Sequence, residues 1–496
     1  MRQRLRVDLM KLKELMKFVE DSRLVGDGNV EVTGIDYDSR RIKAGMLFVA
    51  VSGFKMNGND FIADAVNNGA VAILTDEDNE MNIPRIVVPS IRNAMADVAA
   101  GFYGKPGEGM IFIGVTGTNG KSTSVYLIQE ILRASGKKVG ALNSLTYDTG
   151  DNKYKAERTT PESPDLQKYF YEMKNAGCSH AVVEVSSHAL VLKRVENINF
   201  QVGLYTNFSR DHLDFHKTMD DYLKAKKLLL EKLRDPDKYI VLNADVKEYA
   251  SFVGDVHCNL ITYSAKNSLA DVYIKDVSLY PDKSDFTLVT PYGTGRVSIR
   301  LPGRYHLSNA VGAAAAGIGL NIDIDTIIHG LEKATPVPGR FQPIDMGQPF
   351  SIIIDYAHTP DAIERLCQSA REIARGPLKI MFGCGGDRDR GKRSLMGQAA
   401  SSNADFSVIT SDNPRTEDPL KIIEDIIPGM VNKNFVVIPD RREAIEHIIG
   451  RAEKNDMLLF AGKGAENYQE IGTKRYPFEE REEIIRVLES RGYKED

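Results

Sequence analysis

Short apolar runs alternate with longer amphipathic stretches along most of the 496-residue chain. Between residues 110 and 250 these runs are continuous rather than interrupted by polar residues, and residues 121–135 have the spacing of a helix. Strands that are apolar on both faces are typical of a mostly parallel sheet covered by helices on both sides. The pattern therefore predicts an α/β fold here, with strands at MIFIGV, KKVGAL, HAVVEV, VGLYTN and KYIVLN.

Two segments rich in Pro and Gly, KPGEG and TPVPGRF, interrupt this alternation and predict domain boundaries. A smaller α/β unit precedes the first segment, and a second doubly wound sheet follows the other. Residues 270–300 have shorter alternating strands, which predict an antiparallel addition. We therefore predict three domains, over residues 1–105, 106–336 and 337–496. The predicted strands are GMLFVAVSG, VAILTD and RIVVPS in the first domain, and SIIIDY, LKIMFGCG, FSVITSD, NFVVIP and DMLLFAG in the last domain.

The first twenty residues are basic but contain no continuous apolar core. Their apolar residues recur at helical spacing, which predicts an amphipathic surface helix rather than a signal peptide. The sequence also has no apolar run long enough to span a bilayer, so we expect a cytoplasmic protein without a membrane partner. The residues of the predicted apolar stripe are Leu9, Leu12, Leu15, Met16 and Val19.

Charge and cysteine content exclude two classes of function. The 64 basic and 69 acidic residues give a net charge of −5, which argues against a broad nucleic-acid surface. The four cysteines are too widely spaced for a C-x-x-C metal or redox site, and we expect buried free thiols.

The loop GVTGTNGKST, residues 114–123, lies between a predicted strand and a predicted helix. Backbone N–H groups of such a loop point at phosphate oxygens, and Gly is needed where backbone approaches phosphate. Val115 stands where the strict P-loop pattern has its first Gly. Lys121 would neutralise phosphate charge and the Ser122 hydroxyl would coordinate Mg²⁺. We predict nucleotide binding by Gly117, Thr118, Asn119, Gly120, Lys121, Ser122 and Thr123; a motor, kinase, GTPase or ligase would each fit.

Further polar groups follow other strands of the same predicted sheet. Glu184 ends an apolar strand just before a polar turn, and the carboxyl ends of parallel strands face the ligand crevice. A carboxylate there can hold Mg²⁺, although a surface or helix-capping Glu has the same pattern. The charged segment 210–216 also follows a strand. By itself it is typical of a solvated loop, but beside a phosphate loop it favours a metal or phosphate role for His212.

Eight motifs in a fixed order resemble the Mur ligase family of peptidoglycan synthesis over essentially the whole chain. The resemblance implies a small N-terminal α/β uridine-binding domain, a central P-loop mononucleotide-binding domain and a C-terminal Rossmann-like domain. It also implies that ATP converts a carboxylate to an acyl-phosphate, which an amine attacks to form an amide. The motifs are GVTGTNGKST, EVSSHAL, TNFSRDHLDFH, LPGRYHLSNA, PGRF, IDYAHTPDA, FGCGGDRDRGKR and SDNPRTEDP.

The resemblance assigns roles around ATP and Mg²⁺. Lys121 holds the phosphates, Ser122 and Glu184 bind Mg²⁺, and His212 matches the histidine of a second Mg²⁺. Lys226 matches the lysine that the family carbamylates, which replaces a cation that repels Mg²⁺ by an anionic oxygen. From the residues alone Lys226 is typical of a surface lysine, with Lys224 and Lys227 as rivals. The resemblance further implies nucleotide contacts from Asn309, Arg340, Asp355 and His358.

The resemblance also assigns the other two substrates. The first is UDP-N-acetylmuramoyl-L-alanyl-D-glutamate, and the second is an amino acid read by the DNPR motif. Arg415 can form a bidentate pair with the additional carboxylate of meso-diaminopimelate, which lysine lacks. Uridine contacts are implied for Ser39, Arg40 and Asn57; muramoyl-dipeptide contacts for Thr159, Thr160, Ser186 and Arg194; and an amino-acid pocket for Arg388, Asp412, Asn413, Pro414, Arg415, Gly462 and Glu466.

Three alternatives remain at this point: L-lysine as the added amino acid, a folylpolyglutamate-synthase-like ligase, and a nucleotide-binding regulator without turnover. Some relatives with DNPR do not use diaminopimelate, and Ala465 and Asn467 stand where the family usually has His and Asp. The uridine-type first domain and the DNPR motif argue against the second alternative. The retained chemical residues, such as Lys226 and Glu466, argue against the third. We expect a monomer.

Overall fold

The computed structural model describes residues 9–53, 56–78 and 82–494. The chain divides into two compact units, one of Met1–Tyr263 with Gly312–Asp323 and one of Ser264–Val311 with Ile324–Asp496. Both units are built from mainly parallel sheets with helices between the strands, which confirms the predicted α/β class. Within the described ranges, no helix is both long and apolar enough to cross a lipid bilayer.

The N-terminal part of the first unit has a five-stranded sheet with the order β2-β7-β6-β5-β4. Strands β4 to β7 are parallel and β2 is antiparallel to β7, while β1 and β3 form a separate antiparallel pair. The elements are β1 (Met10–Lys11), α1 (Leu12–Met16), β2 (Arg23–Val25), β3 (Glu31–Val32), β4 (Gly34–Asp36), β5 (Met46–Val49), α2 (Ile62–Asn67), β6 (Ala70–Thr75), β7 (Arg85–Val87) and α3 (Ile91–Phe102).

The predicted N-terminal surface helix is wrong in its extent. Only Leu12–Met16 is helical, and residues 1–8 of the predicted segment lie outside the described residues. Leu12 and Leu15 are fully buried in the core, whereas Leu9 is 60% exposed. The chain turns after α1 so that the Phe18 ring packs against Gly101 of α3. Tertiary packing therefore ends the helix earlier than its apolar periodicity predicts.

The central part of the first unit contains strands in the order β11-β10-β9-β12-β8-β13-β14-β15. The strands from β9 to β15 in this order are parallel, as predicted, and the β10–β11 hairpin is an antiparallel edge. Because Glu184 of β12 lies opposite Val115 of β8, both strands end at one edge. The elements are β8 (Ile111–Thr116), α4 (Lys121–Ala134), β9 (Val139–Leu142), β10 (Thr146–Asp148), β11 (Lys153–Lys155), α5 (Ser163–Asn175), β12 (His180–Glu184), α6 (Ser187–Val191), β13 (Phe200–Tyr205), α7 (Leu213–His216), α8 (Met219–Lys227), β14 (Tyr239–Asn243), α9 (Tyr249–Val253) and β15 (Asn259–Ser264).

The predicted antiparallel addition is confirmed as three consecutive strands, with β17 paired to both neighbours. The small-residue segment after it is helical, as expected, and its alanines are buried. The elements are β16 (Val272–Leu279), β17 (Ser284–Thr290), β18 (Gly293–Ile299), α10 (Arg304–Gly319) and α11 (Ile324–Lys333).

The C-terminal part of the second unit has a six-stranded sheet with the order β19-β20-β24-β21-β22-β23. Five strands are parallel, β19 is antiparallel at one edge, and two apolar cores cover the sheet. The elements are β19 (Gln342–Ile344), β20 (Ser351–Asp355), α12 (Pro360–Ile373), β21 (Leu378–Phe382), α13 (Gly391–Asn403), β22 (Phe406–Ile409), α14 (Pro419–Ile426), β23 (Phe435–Val437), α15 (Arg441–Gly450), β24 (Met457–Ala461), β25 (Tyr468–Ile471), β26 (Lys474–Pro477) and α16 (Glu480–Ser490).

A fully buried ion pair stands behind the carboxyl ends of β22 and β24. The Arg441 guanidinium lies 2.6 Å from the Glu480 carboxylate. It also donates to the carbonyls of Ser411 at 3.2 Å and Ala461 at 2.9 Å, just beyond β22 and at the end of β24. Burial raises the pKa of Glu480, and the Arg441 charge opposes that shift. This pair fixes the points from which two polar loops leave the sheet.

Candidate active site

The phosphate loop joins β8 to α4 and depends on two glycines with positive φ, Gly117 at 146° and Gly120 at 81°. A Cβ at position 117 would collide with the Thr206 hydroxyl, so only Gly allows this close approach. Gly120 is the N-cap of α4, and Lys121 begins the helix. The N-terminus of α4 therefore faces the loop, in the arrangement that binds phosphate oxygens.

The loop after β13 braces the phosphate loop. The Thr118 N–H donates to the Asn207 carbonyl at 2.9 Å, and the Asn119 N–H donates to the Asn207 side-chain oxygen at 2.8 Å. The Thr206 hydroxyl donates to the Asn119 carbonyl at 2.6 Å. These bonds engage the amides of Thr118 and Asn119 and hold the phosphate loop against the loop that follows β13.

Glu184 lies at the centre of the site and is buried. Its Oε2 accepts hydrogen bonds from the Ser122 hydroxyl at 2.8 Å and from the Ser144 N–H at 3.0 Å. The Lys121 ammonium lies 3.9 Å from Oε1. The structure thus brings together the three side chains that the sequence assigns to phosphate and Mg²⁺. Ser144 was missed, although it follows the carboxyl end of β9, where site residues are expected.

Lys226 is 1% exposed, which excludes the surface-lysine interpretation. Its ammonium donates to the Gly117 carbonyl at 2.7 Å, and Lys121 donates to the same carbonyl at 3.1 Å. Burial, and then the charge of Lys121, holds the pKa of Lys226 well below its ordinary value. The rival Lys224, on the same helix, is exposed. Lys226 therefore loses its proton more readily than an exposed lysine does.

His212 precedes α7 with a left-handed φ of 55°. Its ring lies edge-on to the Tyr222 ring with centroids 6.0 Å apart, and the Lys226 ammonium lies 4.4 Å from the centroid of that same Tyr222 ring. The imidazole is 3.4 Å from the Asp211 carboxylate and is partly exposed. His212 and Lys226 therefore both contact the Tyr222 ring.

The residues predicted to hold the muramoyl dipeptide are connected to Glu184 through the backbone. The Thr160 hydroxyl donates to the Glu184 carbonyl at 2.7 Å and contacts the Ser186 hydroxyl at 3.2 Å. Arg194 donates to the Thr160 carbonyl at 3.0 Å and pairs with Glu162 at 2.8 Å. Arg194 thus orients the loop, and Thr159 beside it is half-buried.

The residues predicted to hold uridine lie in the N-terminal part. Ser39 is buried in a short 3₁₀ turn that Asp38 caps, and the exposed Arg40 pairs with Asp38 at 2.7 Å. Asn57 caps the next 3₁₀ turn through its side-chain oxygen and donates to Glu77 at 3.0 Å. Each of these residues is at a turn that could present it to a ligand.

The second unit holds the predicted amino-acid pocket. The Asn413 amide donates to Glu466 Oε2 at 2.9 Å. Arg415 has a left-handed φ of 50°, donates to the Gly386 carbonyl at 2.8 Å and lies 3.2 Å from the Glu470 carboxylate. A Cβ at Gly462 would stand 2.6 Å from an Asp412 oxygen, so these two loops pack closely. The structure therefore assembles Asp412, Asn413, Arg415, Gly462 and Glu466.

The remaining predicted residues of the second unit are less tightly clustered. The Arg340 guanidinium lies 4.9 Å from the centroid of the Tyr356 ring, and His358 contacts the Tyr356 carbonyl through Nδ1 at 2.8 Å. Asp355 accepts the N–H of Phe341 at 2.7 Å. Other predicted residues are Asn309, buried in α10; Arg388, exposed and bonded to the Asp387 carbonyl; and Pro414, whose carbonyl accepts the Glu417 N–H.

The donor set at Glu184 suits Mg²⁺. Within the described ranges, no three His, Cys, Asp or Glu side chains cluster tightly enough to hold a metal ion by themselves. Mg²⁺ usually keeps several waters and binds through one or two carboxylates and substrate phosphates. The adjacent hard oxygens of Glu184 and Ser122, beside a phosphate loop, fit that preference.

Three family models match the chain in order. They are "Mur ligase family, catalytic domain" over residues 31–103, "Mur ligase middle domain" over 115–317 and "Mur ligase, glutamate ligase domain" over 339–464. Each match lies within one of the three predicted domains, whose boundaries stay a prediction.

Named relatives and a solved structure extend along the whole chain. The chain is 42% identical over 482 residues to the UDP-N-acetylmuramoyl-L-alanyl-D-glutamate--2,6-diaminopimelate ligase of Geobacillus thermodenitrificans, covering 95% of this chain and 98% of that protein. It is 39% identical to the enzyme of the same name from Bacillus cereus, covering 95% and 97%. A solved structure with this name has a TM-score of 0.70 and 29% identity, covering 98% of this chain and 100% of its own.

The packing of Gly117 against Thr206 and Asn207 generates a prediction for nucleotide binding. We expect Gly117→Ala to raise the KM for ATP by about tenfold or more, because the new methyl group displaces the phosphate loop. Gly254→Ala is the matched control, since Gly254 has an ordinary φ of −64° and no described heavy atom lies within 4 Å of a Cβ built there. An unchanged ATP KM in folded Gly117→Ala would contradict the role of this loop.

Proposed function

Because the chain belongs to the Mur ligase family, we propose that it is the ATP-dependent ligase that adds meso-2,6-diaminopimelate to UDP-N-acetylmuramoyl-L-alanyl-D-glutamate during peptidoglycan precursor synthesis. The observation that carries this conclusion is the near-complete match to enzymes of that name, 42% identical over 482 residues in one case. With these substrates, we propose a cytoplasmic location for the enzyme.

The reaction transfers the γ-phosphoryl group of ATP to a carboxylate of the dipeptide. The amine of the incoming amino acid attacks the acyl-phosphate carbon, and the tetrahedral intermediate collapses with release of phosphate and formation of the amide. Every bond that forms or breaks in these steps joins substrate atoms, so the protein contributes charge stabilisation and orientation. Lys121, at the start of α4 and 3.9 Å from Glu184, is suited to stabilise the phosphoryl oxygens.

We assign Mg²⁺ to Ser122 and Glu184, with His212 and carbamylated Lys226 at a second position. When bound, the ion neutralises phosphoryl charge and aligns the transferring group. The hydroxyl of Ser122 and the carboxylate of Glu184 are already 2.8 Å apart, which supports their assignment to one cation. Ser144, which contacts both, orients them.

The burial of Lys226 supports its carbamylation. An uncharged amine adds to CO₂ to give a carbamate with loss of one proton, whereas an ammonium has no lone pair for this attack. The pKa of Lys226 is held well below its ordinary value by burial and by Lys121. Carbamylation then places an anion beside Lys121, so that attraction replaces the repulsion between two charged lysines.

The remaining assignments concern the contacts to the nucleotide-sugar and to the rest of ATP. We propose that Ser39, Arg40 and Asn57, which lie at two 3₁₀ turns, contact the uridine. The backbone coupling of Thr160 to Glu184 supports a dipeptide site at this loop, close to the phosphoryl group. Further proposed contacts are Thr159, Ser186 and Arg194 for the dipeptide, and Asn309, Arg340, Asp355 and His358 for ATP.

The charges of the amino-acid pocket favour diaminopimelate over lysine. The distal end of meso-diaminopimelate carries both a carboxylate and an ammonium, whereas that of lysine carries an ammonium alone. Arg415 and Arg388 are cations suited to the carboxylate, and Glu466 is an anion suited to the ammonium. Arg415 is only partly buried and is already oriented by Gly386 and Glu470.

The proposed reaction is tested by incubating the protein with ATP, Mg²⁺ and UDP-N-acetylmuramoyl-L-alanyl-D-glutamate, together with either diaminopimelate or L-lysine. We expect phosphate release that requires both the nucleotide-sugar and diaminopimelate, and a product whose mass includes diaminopimelate. Lysine should react much more slowly, because it has no second carboxylate to offer to Arg415. A lysine adduct as the main product would overturn the amino-acid assignment, and no adduct with either would overturn the ligase.

The carbamate generates a separate prediction. We expect Lys226→Ala to abolish turnover and Lys226→Arg not to restore it, because a guanidinium stays charged and forms no carbamate. Added bicarbonate should rescue neither variant. Lys224→Ala, on the exposed side of the same helix, is the matched control and should retain wild-type activity.

Labelled bicarbonate gives a direct readout of the same modification. The wild-type protein and Lys224→Ala should each show a carbamate carbon by NMR that Lys226→Ala lacks. Turnover retained by Lys226→Ala would refute the carbamate role.

A further inference from the structure

Lys463 lies behind the proposed amino-acid pocket and has no exposed side-chain surface. Its ammonium donates to Asn413 Oδ1 at 2.5 Å and to the Tyr468 carbonyl at 2.8 Å. It also donates to Glu466 Oε2 at 3.2 Å. A side chain this deeply buried does not itself reach a ligand in the pocket. Two residues that it holds, Asn413 and Glu466, are those that the proposed function places on the amino acid.

The Lys463 ammonium determines which way the Asn413 amide faces. An ammonium group only donates hydrogen bonds, so the amide oxygen must point toward Lys463. The Glu470 N–H donates to that same oxygen at 2.9 Å, which reinforces the orientation. The amide nitrogen therefore points to Glu466 Oε2, at 2.9 Å. Lys463, Asn413 and Glu466 consequently form a closed triangle of hydrogen bonds.

Lys463 also offsets part of the negative charge of two acidic residues in the pocket. Two carboxylates approach its ammonium, Glu466 at 3.2 Å and Asp412 at 3.9 Å. Among these three side chains one negative charge is left over, and it attracts an ammonium group of the incoming amino acid, whereas Arg388 and Arg415 are suited to its carboxylate. Without Lys463, both carboxylates and the Asn413 oxygen would lose their common donor, and their relative positions would no longer be fixed.

The backbone of the two segments that carry Asn413 and Lys463 is fixed as well. The buried Arg441 binds the carbonyls of Ser411 and Ala461, so the segments carrying Asn413 and Lys463 leave the sheet from fixed points. Rigid support of this kind is what a recognition site needs from residues that do not touch the ligand.

We propose that Lys463 is a positioning residue for the incoming amino acid, holding Asn413 and Glu466 in the arrangement that receives an ammonium of a diamino acid. This inference rests on the proposed function, which places diaminopimelate in this pocket. A purely structural role would lower the thermal stability of the protein without a selective effect on one substrate.

The test compares the KM values for all three substrates in Lys463→Met, where an apolar chain of similar length replaces the ammonium. We expect the KM for diaminopimelate to rise about tenfold or more, with changes of less than about twofold for ATP and the nucleotide-sugar. Lys463→Gln keeps two N–H donors without the charge and should give a smaller rise in the same KM. This second variant decides the matter if Lys463→Met fails to fold.

Lys379→Met is the matched control for losing a largely buried, ion-paired lysine in the same sheet. Lys379 pairs with Asp456 at 2.5 Å and donates to the Arg451 carbonyl, at the end of the sheet opposite the pocket. The Lys379→Met substitution should lower the melting temperature of the protein and leave the KM for each substrate unchanged. Arg415→Ala is the positive control, because it removes a proposed direct contact and should also raise the diaminopimelate KM.

The inference is overturned if folded Lys463 variants keep the wild-type KM for diaminopimelate, or if the KM values for all three substrates rise equally. Failure of the proposed function looks different, because the wild-type protein itself would then release no phosphate in response to diaminopimelate.

Discussion

Two lysine ammonium groups, one buried and one partly buried, share the Gly117 carbonyl, and this concentration of positive charge is the constraint on which the phosphate site depends. Lys121 enters from the start of α4 and Lys226 from α8, so the phosphate loop is held from both sides. Like charges this close in a buried place are costly unless anions are near or one group gives up its proton. Glu184 supplies one anion, and the lowered pKa of Lys226 indicates how the remaining conflict is relieved.

The amino-acid pocket also depends on buried charged groups. Buried cations lie behind the polar side chains, and the side chains assigned to the pocket include both cations, Arg388 and Arg415, and anions, Asp412 and Glu466. Arg441 fixes the backbone through two carbonyls, and Lys463 fixes the side chains of Asn413 and Glu466. Hydrogen bonds to charged groups are stronger and more directional than neutral ones, so a few buried charges can orient a whole site.

The strands that carry the site were predictable because they are apolar on both faces. The β10–β11 and β25–β26 hairpins were not, since the outer strands β11 and β26 are exposed and have no apolar run. The early end of α1 was also not predictable, because it depends on Phe18 packing against a distant glycine.

Site residues divide in a similar way. Lys121, Ser122 and Glu184 follow from a local motif and a strand end, which sequence displays. The burial of Lys226, the contact of Ser144 with Glu184 and the support by Lys463 arise only when distant segments meet, so no local pattern marks them.

The most direct test of the account asks where the phosphoryl group goes. A heavy oxygen isotope in the acceptor carboxylate of UDP-N-acetylmuramoyl-L-alanyl-D-glutamate should appear in the phosphate released during amide formation. This follows because one carboxylate oxygen leaves with the phosphoryl group when the amine attacks. Mass spectrometry of the phosphate measures the transfer. Labelled phosphate is the predicted result, and amide formation with unlabelled phosphate would contradict an acyl-phosphate.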